Sequence, residues 1–504
     1  MNRRPERGMN QQLRKLGAGL LVCYLALFVM VNYVQVIAAP ALNDRQDNSR
    51  ALFRDFDQPR GEILSADGQL LAQSLPAAPE SPFELQRVYP AGDLFAHVTG
   101  FLNFDFGAEG LERSYNDQLA GQTFEQEYES VSDLFVERDT TGDLTLTLRA
   151  DVQQVARDAL GEQRGSVVAV DPRDGSVLAF WSFPSFDPNP LSSHDIEAAR
   201  AARTALEPEV RASPLSAAMY RQSFFPGSTF KIVTAAVGVE AGVVTATEPV
   251  YPVVTEYDID FTERGLSNFG GSSCGGDLFA SLRVSCNSTF AAMGADTIGE
   301  TRMVEGVESF GFNDQPPIDL PAAATSTFPT EFPDDVGNGT IARASIGQGD
   351  TQATPLQMAL VTAGIANRGV IMRPHVVDRI TDDAGQVIEE LEAEPWTQAV
   401  SPASADVVRR AMVAVVDDGT ASGLAIPGME VGGKTGTAQL GTDPPSSHAW
   451  IVGFAGPPGQ PSTVAVAVLV EAQPGVSEVT GGRVAAPIAR AVMERVLQVQ
   501  GGEG

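Results

Sequence analysis

The sequence predicts an α+β protein whose main sheet is assembled from both ends of one large C-terminal domain, behind an N-terminal membrane-type helix. Three observations carry this. Alternating apolar runs occur at Gly165–Val170 and Ser176–Phe183, and return around Gly433–Gln439, Ala449–Phe454 and Thr463–Val470. The stretch between them, about 185–430, is helix-rich with loops marked by Pro and Gly. Strands at both ends with helices between imply one sheet drawn from both ends. Ahead of all this, Leu16–Ala39 holds no charged residue.

The elements come in this order. Residues 1–15 carry Arg3, Arg4, Arg7, Arg14 and Lys15, and the uncharged run 16–39 is long enough to cross a bilayer as a helix. A mixed, mildly acidic run comes after it (Asn43, Asp44, Arg45, Asp47). The bias of positive charge places the tail in the cytoplasm and the rest of the chain outside, anchored by a single pass in the cell membrane. A cleaved signal peptide ending at Ala39-Pro40-Ala41 is the competing reading, but the apolar run exceeds a usual signal core of roughly 7–15 residues. Residues 40–140 form a first extracytoplasmic region. In it Arg60–Ala72 reads as a hairpin turning at Asp67-Gly68, and Ala108–Arg113 begins a polar helical stretch. A second domain spans 141–500. It opens as a strand running into a helix (LTLTLRADVQQVARDAL), includes the buried-type helix of TPLQMALVTAGIANRG ending at Gly369, and closes on the helix APIARAVMERVLQV.

Charge and cysteines narrow the function. A net charge of −30 and a pI near 4.4 describe a solvated, self-repelling surface and argue against nucleic acid, which needs a basic face. Neither CxxC nor any histidine spacing suits a metal, so no metal and no cofactor is expected. Cys23 falls in the apolar run. Cys274 and Cys286 fall outside the cytoplasm on this topology, where disulfides persist. They flank a Gly/Ser-rich turn, so a bridge is one reading and two separate thiols the other.

Lysine usage points to chemistry. Of 34 basic residues only three are lysine: Lys15, Lys231 and Lys434. A guanidinium cannot release its proton in a protein, whereas an amine can. Lys231 lies in Phe225-Pro226-Gly227-Ser228-Thr229-Phe230-Lys231, a Pro-Gly loop entering an apolar helix. Ser228 and Lys231 share a helix face at i and i+3, so amine and hydroxyl can meet, and burial would lower the lysine pKa enough for it to take the serine proton. Ser285-Cys286-Asn287 offers a hydroxyl to relay a proton and an amide to hold a carbonyl; alone it is an ordinary polar turn. Lys434-Thr435-Gly436-Thr437 reads as a strand edge with a fixed charge for a carboxylate, two hydroxyl donors, and a glycine that lets a substrate backbone lie alongside. It lacks the spacing of a phosphate loop.

The three motifs in this order are the signature of penicillin-recognising serine enzymes. RGEI…DGQLLA, EGLERSYNDQLAG, GSVVAVDPRDGSVLAFWSFPSFDPN, FFPGSTFK, IGQGDTQATPLQMA, GGKTGTAQ and HAWIVGFAG all resemble segments of class B penicillin-binding transpeptidases, nearly throughout from residue 55. GTDPPSSHAW and ATEPV…CGGDLF…SCN are most similar to the actinobacterial penicillin-binding protein A branch. The resemblance implies the serine penicillin-recognising fold, a central antiparallel sheet flanked by helices with an all-helical subdomain, on a small β-rich pedestal or dimerisation-like domain. It implies Ser228 as acylated nucleophile, Lys231 as its base, Ser285 and Asn287 as the second element, and Lys434, Thr435, Gly436 and Thr437 as the third. The N–H groups of Ser228 and Thr437 would hold the oxyanion. The implied substrate is the D-Ala-D-Ala end of a peptidoglycan stem peptide, and β-lactams would acylate the same serine. A polytopic membrane glycosyltransferase and division proteins are the implied partners. A D,D-carboxypeptidase, a β-lactamase and a non-catalytic division scaffold are the alternatives on the same fold.

Overall fold

A computed structural model describes residues 8–33, 56, 58–123, 141–206, 213–262, 265–333, 337–442, 445–472 and 480–502. It divides into two compact units, Met1–Gln58 and Pro59–Gly504. In the first, helix α1 covers Gly8–Asn32. It starts well before Leu16, because Gln11, Gln12, Arg14 and Lys15 are good helix formers and nothing stops the helix there. Its apolar side chains from Leu13 onward are exposed, as a lipid-facing surface would be. Residues 34–39 of the expected span, and the acidic run at 43–47, lie outside the described residues.

The second unit opens with the expected hairpin, β1 (Ile63–Leu64) and β2 (Leu70–Pro76), paired antiparallel about a turn in which Gly68 takes a positive φ of 80°. Strand β3 (Leu85–Val88) pairs with β2. The polar stretch at 108–113 becomes two short helices, Leu111–Ser114 and Asn116–Leu119, but its Glu112 is fully buried rather than solvated. Next come β4 (Asp143–Leu146) and helix α2 (Ala150–Leu160), then the hairpin β5 (Gly165–Val170) and β6 (Val177–Phe183). The middle carries α3 (Lys231–Glu240), α4 (Leu278–Arg283), α5 (Asn287–Ala292) and α6 (Pro355–Ala366). Strands β7 (Val377–Thr381) and β8 (Val387–Glu390) precede α7 (Pro402–Asp418). Strands β9 (Glu430–Gln439), β10 (Ser447–Gly456) and β11 (Val464–Val470) lead to α8 (Gly481–Gly502).

Two sheets organise these elements. A five-stranded antiparallel sheet runs β9-β10-β11-β5-β6, so both ends of the domain do supply one sheet, with β9 at its edge. Every residue of β11 is buried, which requires cover on both faces. Helices α8 and α2 pack together against the sheet, as do α6 and α7. All twelve residues of α6 are buried, and the helix ends at Ala366 with the Gly369 N–H donating to the Gly364 carbonyl at 2.7 Å. Helix α8 begins about a turn and a half ahead of the expected start at Ala486 and keeps Pro487 inside it.

The other sheet, of six strands, runs β8-β7-β4-β1-β2-β3. It crosses the boundary expected at residue 141: β4 lies parallel to β1 and antiparallel to β7. Sequence spacing could not show this, because β7 arrives from more than two hundred residues away. Its heart is an ion triad. Glu112 accepts from Arg60 and Arg87, each at 2.6 Å, and from the Tyr89 hydroxyl at 3.2 Å.

Candidate active site

Ser228 sits in a 3₁₀ turn, Gly227–Phe230, that leads directly into α3. The Pro-Gly pair builds that turn: Gly227 has φ +54°, and a Cβ there would lie 2.9 Å from the Thr437 carbonyl. The turn is clamped from a second side by Gly347, whose carbonyl accepts from the Gly227 N–H at 2.9 Å. A Cβ on Gly347 would meet the Gly227 carbonyl at 2.3 Å, so the Ile346-Gly347-Gln348-Gly349 stretch needs its glycine for contact with the nucleophile loop. Ser228 is partly exposed, and neither its hydroxyl nor its N–H has a hydrogen-bond partner among the described residues. A first-turn N–H is left free by helix geometry.

Lys231, one turn on, is fully buried. Its amine does not hydrogen-bond Ser228. It donates to the Ser285 carbonyl and to Asn287 Oδ1, each at 2.7 Å, with Ser285 Oγ at 3.3 Å. Lys434, also fully buried, lies 2.8 Å from the same Ser285 Oγ and donates to the Thr435 carbonyl at 2.7 Å. One hydroxyl thus stands between two amines, and no carboxylate among the described residues bonds either of them. Burial drives the Lys231 pKa well below its usual value, and the neighbouring Lys434 lowers it further. Burial also brings Lys434 down, to about 7. Of the pair, Lys231 gives up its proton first, because Lys434 keeps the charge that disfavours a second. A neutral Lys231 has two N–H groups for its two acceptors at 2.7 Å, which leaves its lone pair free to accept a proton.

Ser285 adopts φ +60°, a strained left-handed conformation for a residue with a Cβ. The chain just beyond it is held firmly. Cys286 is bonded to Cys274 (S–S 2.09 Å), which ties the start of α5 to the strand Cys274–Gly276. Buried Asn268 accepts from the Ser288 N–H at 2.8 Å. The bridge therefore braces the loop that presents Ser285.

Two motif residues make contacts that the sequence does not foretell. The Asn287 amide lines the cleft with one N–H left over and also makes contacts within the protein. Its oxygen holds Lys231, and its nitrogen donates to the Ser267 carbonyl at 2.9 Å. Gly436 lines the cleft, but a Cβ there would lie 2.9 Å from Thr229 Cγ2, 3.0 Å from the Pro226 carbonyl and 3.0 Å from Trp450 Cβ. Its missing side chain lets the strand close against the nucleophile turn.

The motifs converge on a cleft of about 790 Å³, lined among others by Ser228, Ser285, Asn287, Thr435, Gly436 and Thr437. Arg343 and Arg483 also line it, and no acidic residue does among the described residues. Within an acidic protein this is a basic recess beside the free edge of β9, suited to an extended peptide ending in a carboxylate. Thr420 is a member that sequence reasoning missed: it accepts a hydrogen bond from Thr435 Oγ1 at 2.8 Å. No motif marks it, since only the end of α7 brings it to β9.

Similarity to known proteins covers nearly the whole chain. Residues 165–494 match the model of the penicillin binding protein transpeptidase domain, and residues 60–144 that of the penicillin binding protein A dimerisation domain. The chain is 37% identical over 503 residues to a peptidoglycan D,D-transpeptidase PbpA of Mycolicibacterium smegmatis, covering 97% of this chain and 99% of that one. It is 36% identical to the PbpA of Mycobacterium tuberculosis, over 97% and 99%. The structure superposes on penicillin-binding protein A from M. tuberculosis in a ceftriaxone acyl-enzyme complex with a TM-score of 0.79 and 34% identity, covering 88% and 100% of the two chains.

Proposed function

The chain belongs to the penicillin-binding protein transpeptidase family, and on that premise we propose how its site works. The protein is a peptidoglycan D,D-transpeptidase that binds β-lactams, and Ser228 is its acylated residue. Ser228 Oγ attacks the carbonyl carbon of the penultimate D-Ala, forming a C–O bond while its proton passes to neutral Lys231 Nζ. The N–H groups of Ser228 and Thr437 hold the oxyanion. The intermediate collapses with cleavage of the C–N bond. The departing D-Ala nitrogen takes its proton through Ser285 Oγ, which is in reach of both amines. An amine of a second stem peptide then attacks the ester, gives up a proton along the same route, and frees Ser228 with a new amide bond.

The observation that carries this reading is the amine pair: two fully buried lysines sharing Ser285 Oγ, with no carboxylate among the described residues to hold their charge. Lys434, Thr435 and Thr437 serve the terminal carboxylate. Residues 60–144 act as the pedestal, and α1 anchors the chain in the cell membrane with its N-terminus in the cytoplasm. A polytopic membrane glycosyltransferase supplies the glycan strands, and division proteins place the pair.

The test uses the full-length chain in detergent with a fluorescent penicillin. A stable covalent label, lost in Ser228→Ala, is expected. Rapid turnover of the label would indicate a β-lactamase, and no label a scaffold. With stem-peptide donors and an added acceptor amine, a cross-linked product is expected; D-alanine release without it would indicate a carboxypeptidase.

A further inference from the structure

The transpeptidase reading leaves two cations of the cleft without a part, Arg343 and Arg483. They stand differently. Arg343 bends back to the Gly339 carbonyl of its own helix at 3.4 Å. Arg483 is exposed in the first turn of α8, and its side chain has no ion-pair or hydrogen-bond partner among the described residues.

Two glycines fix where Arg483 stands. A Cβ on Gly481 would lie 1.7 Å from the Trp450 carbonyl and 2.8 Å from that of Gly436. A Cβ on Gly482 would lie 2.7 Å from the Thr420 carbonyl and 3.4 Å from Thr435 Cγ2. The helix start is therefore set down directly on Thr435–Gly436. The next residue, Arg483, lines the same cleft as the hydroxyl-bearing Thr420, Thr435 and Thr480. A guanidinium at a hydroxyl-lined cleft with no acidic lining residue among the described ones matches one ligand class, a carboxylate, which it can take through two parallel N–H donors.

We infer that Arg483 is a specificity-determining residue that seats the terminal carboxylate of the donor peptide together with Thr435. The inference rests on the transpeptidase reading and deepens it. Lys434 alone is a poor permanent partner. Burial brings its pKa down to about 7, so it loses its charge within the neutral range, while an arginine stays charged throughout. A permanent cation at the cleft also counters the long-range repulsion of an anionic substrate by a chain of net charge −30.

The experiment compares the full-length wild type, Arg483→Gln and Arg483→Lys in detergent. Two donor peptides are used, identical except that one ends in free D-Ala carboxylate and the other in its amide. Release of the terminal residue is followed from about pH 6 to 9, a range that brackets the Lys434 transition. Arg483→Gln is expected to lose about tenfold to a hundredfold of the preference for the free acid, the range of a hydrogen-bonded charge, through KM rather than kcat. Lys434 is charged below about pH 7 and loses its proton above it, so the loss should widen as pH rises. Arg483→Lys should recover part of the preference. An unchanged preference in Arg483→Gln, or an equal loss on both peptides, overturns the assignment while penicillin labelling stands. If the wild type cleaves neither peptide and takes no label, the transpeptidase reading itself falls, and this inference with it.

Discussion

Two buried cation pairs in one compact unit have opposite designs. In the pedestal sheet, Arg60 and Arg87 close on Glu112, and all three side chains are almost wholly buried. In the cleft, Lys231 and Lys434 close on the neutral hydroxyl of Ser285. Burial alone would raise the Glu112 pKa, but the two guanidiniums outweigh it and hold the carboxyl below its usual range. Every charge in that triad is locked. Among the described residues the cleft pair has no carboxylate partner, so burial acts unopposed and lowers both pKa values. The difference teaches what each cation is good for. The chain uses arginine where a charge must stay, and places two of its three lysines where a proton must move.

The comparison can be broken from either side. The largest effect is expected in the cleft. Lys231→Arg cannot accept the Ser228 proton and should lower penicillin acylation by about 10³-fold, within the usual range for a lost general base. Full acylation by this variant would remove Lys231 from its role. On the pedestal side, Glu112→Gln strands two buried guanidiniums without a counter-charge. It should cost about 3–5 kcal/mol in denaturant unfolding, while surviving folded protein still labels at the wild-type rate. Loss of labelling without loss of stability would tie the triad to the chemistry. Smaller again, Cys274→Ala opens the loop that braces Ser285 and should cost about 2–3 kcal/mol, as expected for a short closed loop, read as a lower thermal midpoint. The smallest effect is Lys434→Arg. It keeps a charge near Ser285 but not a transferable proton, and should retain acylation at about a tenth of the wild-type rate, the loss of one hydrogen bond to charge. A rate as low as that of Lys231→Arg would make the two lysines equivalent and collapse the contrast.

Residues whose chemistry restricts their type are legible in the sequence. Lys231 and Lys434 stand out because the chain otherwise prefers arginine, and Ser228 because it precedes Lys231 by one turn after a Pro-Gly loop. The one-sheet architecture is legible from strand periodicity at both ends of the domain. The illegible part depends on contacts between distant segments. Thr420 carries no local signal and gains its place only where α7 ends beside β9. Glu112 looks like part of a polar helical stretch, because sequence does not show that Arg60 and Arg87 fold over it. Gly436 reads as room for substrate, but the room is taken by Thr229 and Pro226. Asn287 reads as a substrate contact, and sequence does not show that its amide also holds Lys231 and Ser267.

The lysine scarcity also allows the direct test. Full-length protein grown with lysine labelled with ¹³C at Cε should give three signals, from Lys15, Lys231 and Lys434. Titrated by NMR, with Lys231→Arg and Lys434→Arg to assign them, Lys231 should lose its proton well below the ordinary lysine value, and Lys434 should titrate at about 7. If both buried lysines instead remain charged above about pH 9, towards the ordinary lysine value, the cleft is as locked as the pedestal triad, and Lys231 is not the resting base.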